Sequence, residues 1–151
     1  MSWDRETVIA AFRMALDNAL AEARSAMEEL SSSLGKETKS TAGDKHETGR
    51  AMVQREMEQA GERLARCEAL QAMAIRLDLD RARVQVGPGA IVVSGQARLL
   101  IGVGLGPFEV PGLGRFQAIS ADAPIAEVLA GAAEGEVREF RGQPWTIESL
   151  T

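Results

Sequence analysis

Two carboxylates stand close together in the stretch from Lys36 to Met52, which separates two long helical patterns. Asp44 and Glu47 are three residues apart, and residues at this spacing lie on the same side of a helix. Such a pair can hold a hard divalent cation such as Mg²⁺, or a water molecule. The same spacing is that of a capping box, in which Asp44 accepts a hydrogen bond from the Glu47 amide. These residues alone favour capping, although the two roles are compatible.

Other polar residues of this stretch allow two interpretations. His46 could act as a third ligand or carry a proton, because its ordinary pKa is near neutrality, although a single histidine on an exposed turn is usually only solvated. Basic residues surround the acidic pair: Lys36, Lys39, Lys45, Arg50 and Arg55. They would either contact phosphates or acidic groups of a partner or simply keep the segment soluble.

Apolar residues recur every three or four positions on both sides of this stretch, as on amphipathic helices. The first stripe, on a helix predicted from about Asp4 to Leu34, is Phe12, Leu16, Ala19, Ala23, Met27, Leu30 and Leu34. The second stripe is Val53, Met57, Ala60, Leu64, Cys67, Leu70 or Gln71, Ala74 and Leu77. Two helices of similar length are expected to bury these stripes on each other. We therefore predict an antiparallel coiled-coil hairpin over residues 1–77, with its tip at about 36–52 and Cys67 as a buried core thiol.

The composition changes after Asp78. All five prolines and eleven of the fifteen glycines lie at or after Gly87. Such a shift marks a domain boundary. We predict a linker at residues 78–82 and a second domain at residues 83–151.

The second domain is predicted to be a small, mostly antiparallel sheet with one short helix, so the fold class is α+β. The predicted strands are Ala90–Ser94, Ala97–Val103, Phe108–Val110, Gly114–Ile119, Glu136–Arg141 and Pro144–Ser149. Asp122 is predicted to cap the helix, with Pro124 in its first turn, and the helix ends near Leu129 before Gly131. Gly102, Gly104 and Gly106 are read as turn residues between strands.

The composition excludes several classes of function. A net charge of -5 argues against general nucleic-acid binding, which depends on clustered Lys and Arg. One cysteine and one histidine cannot form an internal disulfide or a four-ligand zinc site, so any metal must be held mainly by oxygens. The sequence shows neither a long apolar run nor a signal-peptide pattern, and a cytoplasmic location is predicted.

Two motifs match those of a known protein family. Gly43-Asp44-Lys45-His46-Glu47 fits the first five positions of a Gly-Asp-x-x-Glu-Asn-Ala-Glu-Tyr pattern. A later run resembles Ile-Ser-x-x-Ser-Pro-x-Ala, Leu-x-Gly and Gly-Asp; it contains Ile119, Ser120, Ala121, Asp122, Ala123, Pro124, Ile125, Ala126, Leu129, Gly131 and Gly135. On these motifs and its two-part organisation, the chain resembles the Gre family of bacterial transcript-cleavage factors over nearly its whole length.

The chain also departs from the family pattern. Lys45 replaces the usual Leu, residues 48–51 read Thr-Gly-Arg-Ala, and Ala123 replaces the usual Ser before Pro124. The Asp/Glu spacing is kept while the rest of the tip differs. This combination indicates a side branch of the family.

The resemblance implies a specific function. The hairpin would enter the secondary channel of RNA polymerase, and an FKBP-like C-terminal domain would bind the polymerase. Asp44 and Glu47 would be the catalytic and metal-binding residues, stabilising a Mg²⁺ shared with the polymerase while the 3′ end of nascent, backtracked RNA is cut. The protein would be a monomeric accessory factor, with no membrane partner and no enzyme activity alone. Two alternatives remain: a secondary-channel regulator that does not stimulate cleavage, and a coiled-coil adaptor whose acidic pair only caps a helix.

Overall fold

A computed structural model describes the backbone of residues 3–39 and 43–151, with side chains except those of Leu34 and residues 36–39 and 43–47. Two long helices, α1 (Arg5–Lys39) and α2 (Gly43–Arg76), precede strands and a short helix α3 (Pro124–Leu129). The fold is therefore α+β, as predicted. In the part of the chain described, no helix combines the length and apolar character needed to cross a membrane.

The chain divides into two compact units. The sheet unit consists of Met1–Leu16 and Leu70–Thr151, and the helical unit consists of Asp17–Ala69. The start of α1 and the end of α2 thus belong to the same unit as the strands. The predicted linker at residues 78–82 also lies within the sheet unit, and the division into domains at that point stays a prediction.

The strands of the sheet unit form two sheets. They are β1 (Ile91–Val93), β2 (Arg98–Ile101), β3 (Gly106–Val110), β4 (Gly114–Ile119), β5 (Val137–Phe140), β6 (Gln143–Thr146) and β7 (Ser149–Leu150). One sheet has the order β3-β4-β2-β1-β7, and β5 pairs with β6 in the other. The strands pair mostly antiparallel, as predicted, and the one parallel pairing among the described strands joins β2 with β4. This follows from the β3–β4 hairpin, which brings β4 back between β3 and β2.

The last predicted strand is divided between the two sheets. The amide of Ile147 donates to the carbonyl of Glu136 at 2.8 Å, whereas the amide of Glu148 donates to the carbonyl of Val93 at 2.9 Å. The chain therefore changes partners between these two residues. Ile147 itself is fully buried, so the change of partner occurs at a core position.

The predicted helix forms as α3, but its predicted cap is wrong. The residue before the helix is Ala123, and no side chain caps the helix. The Asp122 carboxylate instead accepts a hydrogen bond from the Ser120 hydroxyl. This local bond satisfies Asp122 within the preceding turn. The helix ends at Leu129 as predicted, and the Gly131 amide then donates to the Val86 carbonyl at 2.8 Å.

Both faces of the larger sheet are covered by apolar side chains. Ile91 and Leu100 belong to a cluster with Phe12 of α1, whereas Val92 and Leu99 belong to a cluster with Leu129 of α3. Because successive strand residues point to opposite faces, the two clusters lie on opposite sides of the sheet. The start of α1 thus covers one face and α3 the other.

The helical unit follows the predicted stripes. Its less exposed positions include Ala19, Leu20, Ala23, Met27, Leu30, Val53, Met57, Ala60, Leu64 and Cys67. Leu20 is more deeply buried than its predicted neighbour Ala19. Cys67 is buried and unpaired, which confirms its interpretation as a core thiol. Arg63 of α2 reaches Glu22 of α1 with an N–O distance of 3.3 Å.

Helix α1 begins directly after Asp4, whose carboxylate caps it. Asp4 Oδ1 accepts a hydrogen bond from the Thr7 amide at 2.7 Å. The bond satisfies one of the amides that lack a partner in the first turn. It also lowers the pKa of Asp4, because a hydrogen bond donated to a carboxylate favours its charged form.

We expect the Asp4 cap to stabilise the fold only while the carboxyl group is ionised. Its contribution is complete above the unfolded-state pKa of about 3.9 and is lost as the pH falls through the lower folded-state pKa. An NMR titration should place the Asp4 midpoint below that of Asp in a short peptide. Asp4→Asn should remove this pH dependence while keeping a cap, since Asn also caps helices. A midpoint at or above the peptide value would contradict the prediction.

Candidate functional site

The predicted acidic pair lies at the start of α2. The helix begins at Gly43, so Asp44 and Glu47 both belong to its first residues. Their side chains lie outside the described residues, as do those of His46, Lys36, Lys39 and Lys45. Arg50 and Arg55 are exposed on α2. The metal-binding and catalytic roles of Asp44 and Glu47 therefore stay predictions, which depend on the positions of these residues along the helix.

The start of α2 bears on the capping alternative. A capping box needs its acidic residue as the last residue before the helix, with the partner glutamate three positions later. Here the helical backbone already includes Gly43, so Asp44 lies inside the first turn. Residues at positions 44 and 47 of a helix lie on the same side. Both the shared side and the capping box stay predictions, because the side chains of Asp44 and Glu47 lie outside the described residues.

The predicted tip is mostly helical. α1 was expected to end near Leu34, but it continues to Lys39. Residues 31–33 are serines and residue 35 is glycine. Each weakens a helix by at most about 1 kcal/mol, and the helix tolerates them. Only residues 40–42, which lie outside the described residues, separate the two helices in sequence.

The described side chains do not provide a separate metal site. Among them, no three His, Cys, Asp or Glu residues lie close enough together to hold an ion. The side chains of Asp44 and Glu47 are not among those described. Two carboxylates alone leave most of the coordination positions of Mg²⁺ to other oxygens, so the predicted site would need ligands from a second molecule.

Sequence reasoning missed a set of arginines that fixes the predicted linker within the sheet unit. Arg13 donates to Asp80 at 2.9 Å, which lowers the pKa of that carboxyl. Arg5 donates to the carbonyls of Leu79 at 3.0 Å and Gly89 at 2.7 Å. These bonds tie the start of α1 to the chain that follows α2.

A further arginine binds the same segment from within. Arg83 donates to the carbonyls of Leu77, Asp78 and Arg81. Burial lowers the pKa of both Arg5 and Arg83, and their mutual repulsion with Arg81 contributes. The only sequence signal was the arginine content of residues 81–83, which does not reveal the carbonyls they bind. Residues 78–82 are thus held by hydrogen bonds, unlike a flexible connection.

Compared with models of known protein families and with curated proteins, the chain matches none of them.

Proposed function

We propose that this protein is a Gre-like transcription elongation factor. It binds RNA polymerase through its C-terminal domain and inserts α1 and α2 into the secondary channel as an antiparallel coiled coil. There it stimulates Mg²⁺-dependent cleavage of backtracked RNA. It acts in the cytoplasm as a monomer, and the polymerase supplies the rest of the active site.

The observation that carries this proposal is the place of the acidic pair at the junction of two long helices. α1 has 35 residues and α2 has 34. Within the helical unit, each helix extends roughly 35–40 Å at 1.5 Å per residue. Asp44 and Glu47 occupy the start of α2, which would lie at the end of the structure formed if α1 and α2 pair. Such a position suits residues that must reach into a narrow site of another protein.

Contacts in the helical unit support antiparallel pairing of α1 and α2. Both helices bury one stripe of small and apolar residues, including Ala23 and Cys67, while the flanking positions are exposed. The stripes have the spacing that helix pairs use to pack. Arg63 and Glu22 form an exposed ion pair between the helices. An exposed ion pair adds little stability, but this contact shows that Arg63 of α2 and Glu22 of α1 face each other.

The sheet unit supports an FKBP-like C-terminal domain. A short helix, α3, packs Ala126 and Leu129 into the cluster formed by Leu99 and Ile101 of β2. A sheet of five strands with one short helix on a face is the arrangement the resemblance implies. The motif residues Ser120 and Asp122 form the turn before this helix.

The proposed chemistry needs both proteins. Asp44 and Glu47 would supply oxygen ligands for one Mg²⁺, and carboxylates of the polymerase would supply the others. Two ions can orient a water for attack and stabilise the leaving oxygen at the scissile phosphate near the RNA 3′ end. Neither protein has to undergo a covalent change, because the factor completes a site that the polymerase already contains.

A channel-blocking regulator is the second candidate, and one residue of the tip favours it. Arg50 is exposed on α2 at a position where the Gre pattern has an acid. A basic residue there would attract the acidic surroundings of a polymerase active centre without adding a Mg²⁺ ligand. Such a regulator would bind the polymerase and slow elongation, and it would do so equally after Asp44→Ala. The adaptor alternative predicts instead self-association or a partner other than polymerase.

The test is RNA cleavage in stalled, backtracked elongation complexes with and without the protein at fixed Mg²⁺. We expect short 3′ fragments with the wild type and at least a roughly tenfold slower release with Asp44→Asn or Glu47→Gln, because each removes a charged Mg²⁺ ligand. Glu62→Gln, a change at an exposed glutamate of the same helix, is the matched control and should cleave like the wild type.

Two further measurements decide among the alternatives. Polymerase binding and circular dichroism should be unchanged by Asp44→Asn if the pair acts on Mg²⁺. Loss of helicity in that variant would assign the pair to capping. Polymerase binding without any stimulated cleavage by the wild type would reject the cleavage factor in favour of the regulator.

A further inference from the structure

The sheet unit contains a cavity that the proposed function does not use. It has a volume of about 280 Å³ and lies against strands β1, β2, β4 and β7. Its apolar walls are Trp3, Val93, Leu113 and Phe116, and its charged walls are Arg98 and Glu148. Cavities that bind small molecules combine such apolar walls with a few polar groups and start at about 300 Å³. The volume therefore suits a compact ligand.

The aromatic wall has a defined geometry. The rings of Trp3 and Phe116 meet edge to face, with centroids 6.4 Å apart and an interplanar angle of 66°. Phe116 is buried, with 1 % of its surface exposed, whereas Trp3 is half-buried. Aromatic rings favour this type of contact, and the part of Trp3 that stays exposed can pack against a further ring or branched chain in the cavity. The ligand should therefore have an aromatic or large aliphatic group.

Arg98 is fixed at one side of the cavity. Its guanidinium lies over the Phe116 ring at 5.7 Å and donates to the carbonyl of Leu113. A guanidinium has five N–H donors, and one of the two terminal nitrogens is held by that carbonyl. Stacking and this hydrogen bond restrict the rotamer, which lowers the entropy lost when a ligand carboxylate binds the remaining donors.

The charged residues of the lining favour a zwitterion, which is a ligand with no net charge that carries one positive and one negative group. Among the described residues that line it, Arg98 is the only cation and Glu148 the only anion. Neither belongs to an ion pair that joins it to the other, and Glu148 is exposed. A simple anion can pair with Arg98 but is repelled by Glu148, and a simple cation can pair with Glu148 but is repelled by Arg98. A zwitterion pairs with both.

We propose that this cavity binds a free α-amino acid with an aromatic side chain. The carboxylate pairs with Arg98, the ammonium group pairs with Glu148, and the side chain packs against the partly exposed Trp3, Val93 and Leu113. Ligands of this size reach dissociation constants of roughly 0.1–10 mM. The proposal is independent of polymerase binding and of the residues at the start of α2.

The test uses Trp3 as the reporter. The chain has two tryptophans, and Trp145→Phe leaves Trp3 as the only indole; Trp145 packs on Phe140 at the other sheet. Titration with L-phenylalanine, which does not absorb where indole is excited, should give a saturable change in emission. Removing one charge of the probe, with phenylpropionate or phenylalaninamide, should weaken binding at least about tenfold.

Variants test the same two charges from the protein side. Glu148→Gln, at an exposed residue that should not disturb folding, and Arg98→Gln should each weaken phenylalanine binding about tenfold. Arg115→Gln is the control, since Arg115 is an exposed arginine that does not line this cavity. The absence of a saturable signal in the millimolar range would overturn the proposal. So would equal binding of phenylalanine and phenylpropionate.

Discussion

Replacing Phe12 by alanine is expected to lower the free energy of unfolding of the sheet unit by about 3–5 kcal/mol. Phe12 is fully buried. Its ring meets Phe108 edge to face, with centroids 5.6 Å apart and an interplanar angle of 74°. The substitution removes this aromatic contact and leaves a cavity at the centre of the first cluster, next to Phe108 and Phe116.

Urea unfolding followed by tryptophan fluorescence measures the effect. Trp3 and Trp145 both belong to the sheet unit, so the emission reports on that unit. Met14→Ala is the matched control, because Met14 lies on the same helix and is 67 % exposed. It should change the free energy by less than about 0.5 kcal/mol. Equal effects of the two substitutions would show that α1 does not cover the sheet as described.

Gly102→Ala is expected to destabilise the sheet unit by about 2–5 kcal/mol. Gly102 has a φ of +118°, a conformation that L-residues with a side chain rarely adopt. A Cβ at this position would lie 2.7 Å from Leu77 Cδ1, 3.2 Å from the Gly89 nitrogen and 3.3 Å from Pro88 Cα. The leucine can move aside, but the backbone of residues 88–89 is held by the Gly89 amide, which donates to the Ile101 carbonyl at 2.6 Å.

Gly106→Ala separates strain from crowding. Gly106 also has a positive φ, +101°, but among the described residues, its two chain neighbours aside, no atom lies within 4 Å of a Cβ placed there. It should cost only the backbone strain, about 1–3 kcal/mol. Thermal unfolding of both variants gives the comparison. A Gly102 variant no less stable than the Gly106 variant would exclude the close approach of residues 88–89.

Local patterns predicted the elements of this fold better than their pairing. The stripes that include Ala23 and Cys67 depend only on a period of 3.6 residues, and the burial in the helical unit follows them. The parallel pairing of β2 with β4 and the contact of Phe12 with Phe108 join residues far apart in sequence. No local pattern encodes such contacts.

The same limit applies to the sites. The acidic pair at Asp44 and Glu47 is visible in the sequence because its members are three residues apart. The cavity brings together Trp3, which precedes α1, and residues of four strands, so spacing could not reveal it. For Asp122, in contrast, the spacing predicted a helix cap that does not form. The Asp122 carboxylate instead accepts a hydrogen bond from the nearby Ser120 hydroxyl.

The composition of the sheet unit from two separate chain segments has a consequence for biosynthesis. Residues 1–16 are synthesised before the helical unit, yet the strands they cover, β1 to β4, are made after it. Phe12 and its apolar neighbours must therefore wait for their partners, and contacts of this sequence separation slow folding. Pairing of the intervening helices shortens the loop that has to close. Formation of the proposed helix pair before the strands are made would therefore favour closure of the sheet unit.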